Sequence, residues 1–124
     1  MKRSKALELA RALESGKYKQ GSGALHPTAR TYCCLGVACR VAGKKFTVQS
    51  GEYRIDGESA VLPQSVMDYF GFQSATGRVK PSKEMALKTK YYKEVRFNVL
   101  TDANDAGVAF KEIARFIRKR WKDL

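Results

Sequence analysis

Residues 32–42, reading Tyr-Cys-Cys-Leu-Gly-Val-Ala-Cys-Arg-Val-Ala, constrain this chain more than any other segment. Cys34, Val37, Ala38 and Val41 recur on one face at helical spacing, and Leu35 and Cys39 widen that face. A helix that is apolar over most of its circumference is a buried one. Gly43 ends the pattern, and Arg40, Lys44 and Lys45 suit the negative end of a helix dipole. The rest of the chain is therefore read as what surrounds this helix.

An N-terminal helix is expected from Ser4, which can cap, with Ala6, Leu9, Ala10 and Leu13 on its inner face and Leu7 beside them. Lys5, Glu8, Arg11 and Glu14 form its wet side, and Gly16 is a natural stop. Residues 17–31 contain Gly21, Gly23 and Pro27 and show no period, which reads as an extended arm or loop. Phe46 and Val48 alternate, as do Tyr53 and Ile55, with Ser50-Gly51 between them, which is a hairpin signal. Asp56-Gly57 is a second turn signal, and Ala60, Val61 and Leu62 read as a short third strand. Pro63 suits the first position of a helix whose inner face is Val66, Met67 and Phe70 and which Gly71 closes. Residues 73–92 are polar, basic and weakly patterned. Val95, Phe97 and Val99 alternate as in a strand, with a helical turn near Leu100 as the alternative. In the last element Phe110, Ile113, Ala114, Ile117 and Trp121 recur at helical spacing, while Arg115, Arg118, Lys119, Arg120 and Lys122 crowd the other faces. The expected architecture is α+β, about four helices packed on a small antiparallel sheet or hairpin, in a single domain spanning residues 1–124.

Charge narrows the partners. The chain of 124 residues carries a net +12. Residues 1–45 contribute +8, residues 46–70 contribute −3, residues 71–100 contribute +5 and residues 101–124 contribute +2. The middle segment is thus expected to face away from an anionic partner. No apolar run approaches the roughly 20 residues of a membrane span, so no membrane partner is expected. The start, Met1-Lys2-Arg3-Ser4-Lys5, leads into a mixed segment rather than an apolar signal core, so no secretion signal is expected. The three cysteines, Cys33, Cys34 and Cys39, are an odd, clustered set and a poor disulfide framework, which suits a reducing cytoplasm.

Arg78, Lys80, Lys83, Lys88, Lys90, Lys93 and Arg96 are interleaved with Tyr91 and Tyr92, and Arg115, Arg118, Lys119 and Arg120 add a second basic set. Cations that meet phosphates beside rings that stack on bases suit single strands. The competing reading is a solvated face that keeps the protein in solution. Against it, +12 lies far beyond the roughly 2–8 charges that suffice for solubility. A nucleophile site is the main enzymatic alternative. Cys33 lies near a helix start, where the dipole lowers a thiol pKa, His26 could act as base, and Asn104 or Asp105 could orient it. The plainer reading is that free cysteines act as small core hydrophobes. Cys33, Cys34, Cys39 and His26 could in principle hold zinc, but neighbouring helical cysteines diverge and no C-x-x-C pair exists, so neither metal nor cofactor is expected. Asn104-Asp105-Ala106-Gly107 reads as a turn feeding the last helix, its Asn and Asp bonding local backbone.

Four segments occur in order along the chain. They are Gly16-Lys17-Tyr18-Lys19-Gln20-Gly21, then Tyr32-Cys33-Cys34-Leu35-Gly36-Val37-Ala38-Cys39, then Leu62-Pro63-Gln64-Ser65-Val66, and last the run from Asn104-Asp105 through Gly107 and Phe110 to Glu112-Ile113-Ala114. Together they resemble a family of small, uncharacterised bacteriophage proteins with a YCCLGVxC … LPxxV … NDxGxxFxEIA pattern. The resemblance implies a phage accessory protein, acting in the host cytoplasm in host takeover or counter-defence. The combined expectation is a non-enzymatic protein that binds an anionic partner, whether nucleic acid, nucleotide or acidic host protein. An inhibitor docking on a host protein and a Cys33-dependent enzyme are the alternatives. Ala109 stands where that pattern tends to have Ser or Thr. The last helix should therefore start more weakly by roughly 1 kcal/mol, unless Asp105 or Asn104 caps it. Residues 71–96 and the C-terminus are also more basic than the pattern.

Overall fold

The buried segment of the sequence becomes α2 (Cys34–Val41) in a computed structural model that describes residues 1–124. Cys34 to Cys39 are all buried. The helix is shorter than its apolar pattern because Tyr32 is taken into a strand. β1 (Lys19–Gln20) and β2 (Thr31–Tyr32) form a parallel pair inside the arm that read as loop. Cys33 becomes the N-cap of α2, its sulfur accepting the Gly36 N–H at 3.4 Å, while the Cys33 N–H donates to the Leu25 carbonyl at 3.0 Å. That carbonyl lies so close to α2 that a Cβ at Gly36 would stand 1.8 Å from it. The arm therefore packs backbone against backbone on the first turn of α2 and carries Leu25 into the core.

α1 (Arg3–Glu14) buries Ala6, Leu9, Ala10 and Leu13, the face read from the sequence. Its N-cap is Lys2 and not Ser4. The Lys2 N–H is held by the Phe70 carbonyl at 2.7 Å, and this tertiary bond starts the helix earlier than a side-chain cap would. α1 packs along α5 (Phe110–Arg120) and also meets α2.

The expected hairpin is β3 (Thr47–Gln49) against β4 (Glu52–Arg54), with Val48 opposite Tyr53. Its turn residues Ser50 and Gly51 have φ of 52° and 77°, the two left-handed positions of the tight hairpin turn. Ala60, Val61 and Leu62 form no strand. The Leu62 N–H donates instead to the Ala75 carbonyl at 2.9 Å, so the segment is anchored singly rather than laddered. α3 (Gln64–Phe70) follows, with Pro63 as its extended N-cap rather than its first helical residue.

The weakly patterned basic stretch contains β5 (Met85–Leu87), paired antiparallel with β6 (Val95–Phe97). Val99 ends outside that strand, and α4 (Leu100–Asp105) begins immediately after it, realising the helical alternative at Leu100. α5 buries Phe110, Ile113, Ala114, Phe116 and Ile117, and Trp121 lies in a closing 3₁₀ turn. The fold is α+β, with five α-helices rather than four. In place of one sheet there are three separate two-stranded pairs, β1–β2 parallel and the other two antiparallel. Strands of two or three residues are too short to recruit a third neighbour, and the helices carry the core. One cluster of buried side chains runs from Ala6 on α1 to Leu124 at the C-terminus. No helix is long and apolar enough to cross a membrane.

Candidate anion-binding groove

The site grows out of how β5 lies beside α5. Met85 and Leu87 alternate inward and are buried, which leaves Glu84, Ala86 and Lys88 on the outer side of the strand. The apolar stripe of α5 is consumed by the core, so Arg115, Arg118 and Lys119 stay exposed. At one end of the seam the Lys88 N–H donates to Glu112 Oε1 at 3.5 Å, and at the other Arg120 Nη2 donates to the Lys83 carbonyl at 2.8 Å. Along the helix axis Glu112 and Arg120 are separated by about 12 Å. Between them lies a groove of about 260 Å³ whose charged lining is Glu84, Arg115, Lys119 and Arg120 over a floor of Ala86, Leu87 and Phe116. A recess of about 460 Å³ beyond Glu112 is lined by Lys88, Thr89, Lys90 and Gln20 among others. A smaller one of about 150 Å³ beyond Arg120 is lined by Gln73, Lys80, Lys83, Lys122 and Asp123.

The arginines of the seam are held and the lysines are free. Arg115 forks onto Glu112 at 3.1 and 2.6 Å, which holds the Glu112 carboxyl below the usual carboxylate range and raises Arg115. Arg120 pairs with Asp123, and its guanidinium lies 5.2 Å from the centre of the Phe116 ring. Arg96 reaches Glu84 at 3.8 Å. Lys80, Lys83, Lys88, Lys90, Lys93, Lys119 and Arg78 enter no ion pair. Exposed pairs contribute about 0–1 kcal/mol, so an arriving phosphate can replace a carboxylate on these arginines at little cost.

The structure thus gathers Lys88 with Lys90, Arg115 with Lys119 and Arg120, and Lys80 with Lys83. It turns Arg118 the other way, onto Glu14 of α1 at 2.9 and 2.8 Å. Arg78 sits beyond the groove, its N–H held by Ser74 Oγ at 2.7 Å and its backbone bridged to Val99. Tyr91, Tyr92 and Lys93 occupy the loop joining β5 to β6. Thr89 Oγ1 accepts the N–H of Tyr91 at 3.3 Å and of Tyr92 at 3.0 Å, and the Thr89 N–H donates to the Tyr92 carbonyl at 3.0 Å. The tip is wound tightly while both rings stand out, 76% and 68% exposed. Glu84, Glu112, Phe116 and Lys122 also line these recesses, though none of them stood among the anion-binding residues expected from the sequence. Only Glu112 had a signal there, its i, i+3 spacing to Arg115.

The thiol centre read from the sequence does not form. Cys33, Cys34 and Cys39 are all buried. Burial outweighs the helix dipole and pushes the Cys33 thiol up to about 11 and Cys39 up to about 12, with Cys34 also well above its ordinary value. The expectation of a lowered Cys33 pKa is therefore corrected. His26 donates from Nδ1 to the Thr31 carbonyl at 2.7 Å and stacks on Tyr32 with ring centres 4.2 Å apart. It lines a different recess from the one that Cys33 shares with Asp105, whose Oδ1 accepts the Gly23 N–H at 3.1 Å. No group of three or more His, Cys, Asp or Glu side chains is placed to hold a metal ion. Asn104 lies within α4, and its amide bonds distant residues, Cys34 and Gly21 among them, rather than local backbone.

Neither the curated proteins nor the solved structures contain a match to this chain. Residues 1–121 match the model of a family described as a domain of unknown function, DUF8296. That span takes in α1, the arm, the β5–β6 hairpin and the whole of α5, and with them both walls of the groove. The chain belongs to the DUF8296 family.

Proposed function

We propose that this protein is a non-enzymatic binding module whose α5–hairpin seam takes the phosphates of a nucleic acid or nucleotide. The observation that carries the reading is the set of lysines free of ion pairs, Lys80 and Lys83, Lys119, and Lys88 and Lys90, which line three recesses set along β5 and α5. Arg115 is already oriented as a fork on Glu112, the geometry that suits phosphate as well as carboxylate. The buried, high-pKa thiols weigh against a Cys33 nucleophile. Tyr53, Tyr69, Phe72 and Trp121 are buried or half-buried, so the rings offered to a partner are Tyr91 and Tyr92 on the basic hairpin itself. Together with the bacteriophage resemblance, this reading suggests an accessory role in host takeover or counter-defence, exercised on nucleic acid or a nucleotide signal.

The test is a titration of labelled DNA, RNA and nucleotides at two salt concentrations. Log K should fall linearly with log salt, by about 0.7 per single-strand phosphate contacted. Lys119→Ala and Lys88→Ala should each reduce that slope by roughly the same amount. Absence of binding to any of these at low salt overturns the proposal. Capture of a host protein after nuclease treatment would favour the inhibitor reading instead.

A further inference from the structure

We infer that the tip of the β5–β6 hairpin is a base-stacking platform, so that the ligand of the seam is a single-stranded nucleic acid, read by Tyr91 and Tyr92 on its bases and by the groove on its phosphates. The inference rests on the phosphate reading of the seam and adds what kind of polyanion fits. Tyr91 and Tyr92 are, with Val48, the large apolar side chains that the fold leaves most exposed. The Thr89 hydroxyl accepts both of their amide N–H groups, and the Thr89 N–H closes the turn on the Tyr92 carbonyl, so the rings stand on a hydrogen-bonded turn. A hydrogen-bonded turn lowers the freedom that its backbone must give up when a base lands on a ring.

The surroundings of the tip match a nucleic acid strand. Lys90 Nζ lies 5.6 Å from the centre of the Tyr91 ring, and Lys90 also lines the recess that Lys88 shares with Thr89 and Glu112. A base on the tip would therefore bring its neighbouring phosphate to Lys88 and Lys90, and the strand would continue toward Lys119 and Arg115 in the groove. Lys93, exposed and free of ion pairs, follows the two rings in the chain. Aromatic stacking requires a base face, which a duplex hides inside its own stack and a single strand presents. An acidic protein would also be served by the lysines and the rings, since tyrosine packs well at protein interfaces, and strand binding that is lost in Y91A/Y92A is what separates the two. Charge complementarity and the ring pair together favour the strand.

The experiment compares a labelled oligothymidylate of about 12 nucleotides, within the range of single-strand site sizes, with a duplex of the same length. It uses the full chain, Y91A/Y92A, Y91F/Y92F and K88A/K90A. The full chain should bind the strand at least tenfold more tightly than the duplex. Y91A/Y92A should lose about tenfold or more in strand affinity while the slope of log K against log salt stays unchanged, because stacking displaces no counterions. Y91F/Y92F should retain strand binding, and K88A/K90A should reduce the slope. Unchanged thermal melting of each variant separates these effects from misfolding, which is expected for side chains this exposed. If Y91A/Y92A binds the strand within twofold of the full chain, or if duplex and strand bind alike, the stacking inference is overturned. The phosphate reading of the seam would still stand wherever K88A/K90A lowers the slope. If neither oligonucleotide binds at low salt, the seam reading and the stacking inference fall together.

Discussion

Asn104 shows how much a single side chain holds in this protein. It is 2% exposed, and its amide is fully used. Oδ1 accepts from the Cys34 N–H and from Gln20 Nε2, each at 3.0 Å, while Nδ2 donates to the Gly21 carbonyl at 2.8 Å and to Asp105 Oδ1 at 3.4 Å. Asn104→Ala would strand the buried Cys34 N–H and the Gly21 carbonyl together, and each such group costs about 1–3 kcal/mol. A loss near 3 kcal/mol in urea-unfolding free energy is expected. The sequence placed Asn104 in a turn because nothing local reveals partners 70 and 83 positions away. The cysteines follow the same logic. Their clustering was legible, but their reactivity depended on burial, which only packing decides. The folded Cys33 pKa of about 11 lies above its ordinary 9.0, so its protonation favours the folded state. That contribution is fully present below pH 9 and is lost as pH rises toward 11. Unfolding free energy should accordingly decline over that alkaline window, and iodoacetamide should label the native thiols slowly at neutral pH and faster as pH rises.

Among the elements, α5 gives the clearest case of a local weakness repaired from a distance. Its N-cap is Ala109, which offers no side-chain bond. Neither Asn104 nor Asp105 caps the helix in its place. Gln20 of β1 does so, with Oε1 accepting the Phe110 N–H at 3.2 Å and Nε2 donating to the Val108 carbonyl at 2.8 Å. Ala109 is exposed and has the extended backbone of a cap, so Ala109→Ser should add a bond to an inner N–H that Gln20 leaves free. A gain of up to about 1 kcal/mol in thermal or urea denaturation is expected. Elements with enough residues to show a period, α1, α2, α3 and α5, were legible, and so was the β3–β4 hairpin through its Ser50-Gly51 turn. β1 and β2 were not, because two residues cannot alternate. β5 was hidden because only Met85 and Leu87 of a charged stretch turn inward. α4 was legible only as the alternative of a helical turn near Leu100, because six residues rich in Asp and Asn look like a turn until tertiary bonds hold them helical. The basic character of the seam was visible in the sequence, whereas its shape was not, since the groove exists only where β5 lies on α5.

Across the whole molecule, the contacts that define the fold join residues far apart along the chain. Glu14 meets Arg118 across 104 positions, and α1 packs along α5. Such a topology makes loop closure the main obstacle to folding, so refolding should be slow compared with a helical bundle of the same size. The Asn104 amide adds a kinetic consequence. It can bond Gly21, Gln20 and Cys34 only once the arm, α2 and α4 have all arrived, so these bonds should form after the rate-limiting step rather than before it. Stopped-flow measurements on Asn104→Ala should then show a nearly unchanged refolding limb and unfolding faster by about a hundredfold. By that account the buried amide acts as a latch on the native state: it sets how long the protein stays folded and has little influence on how quickly it gets there.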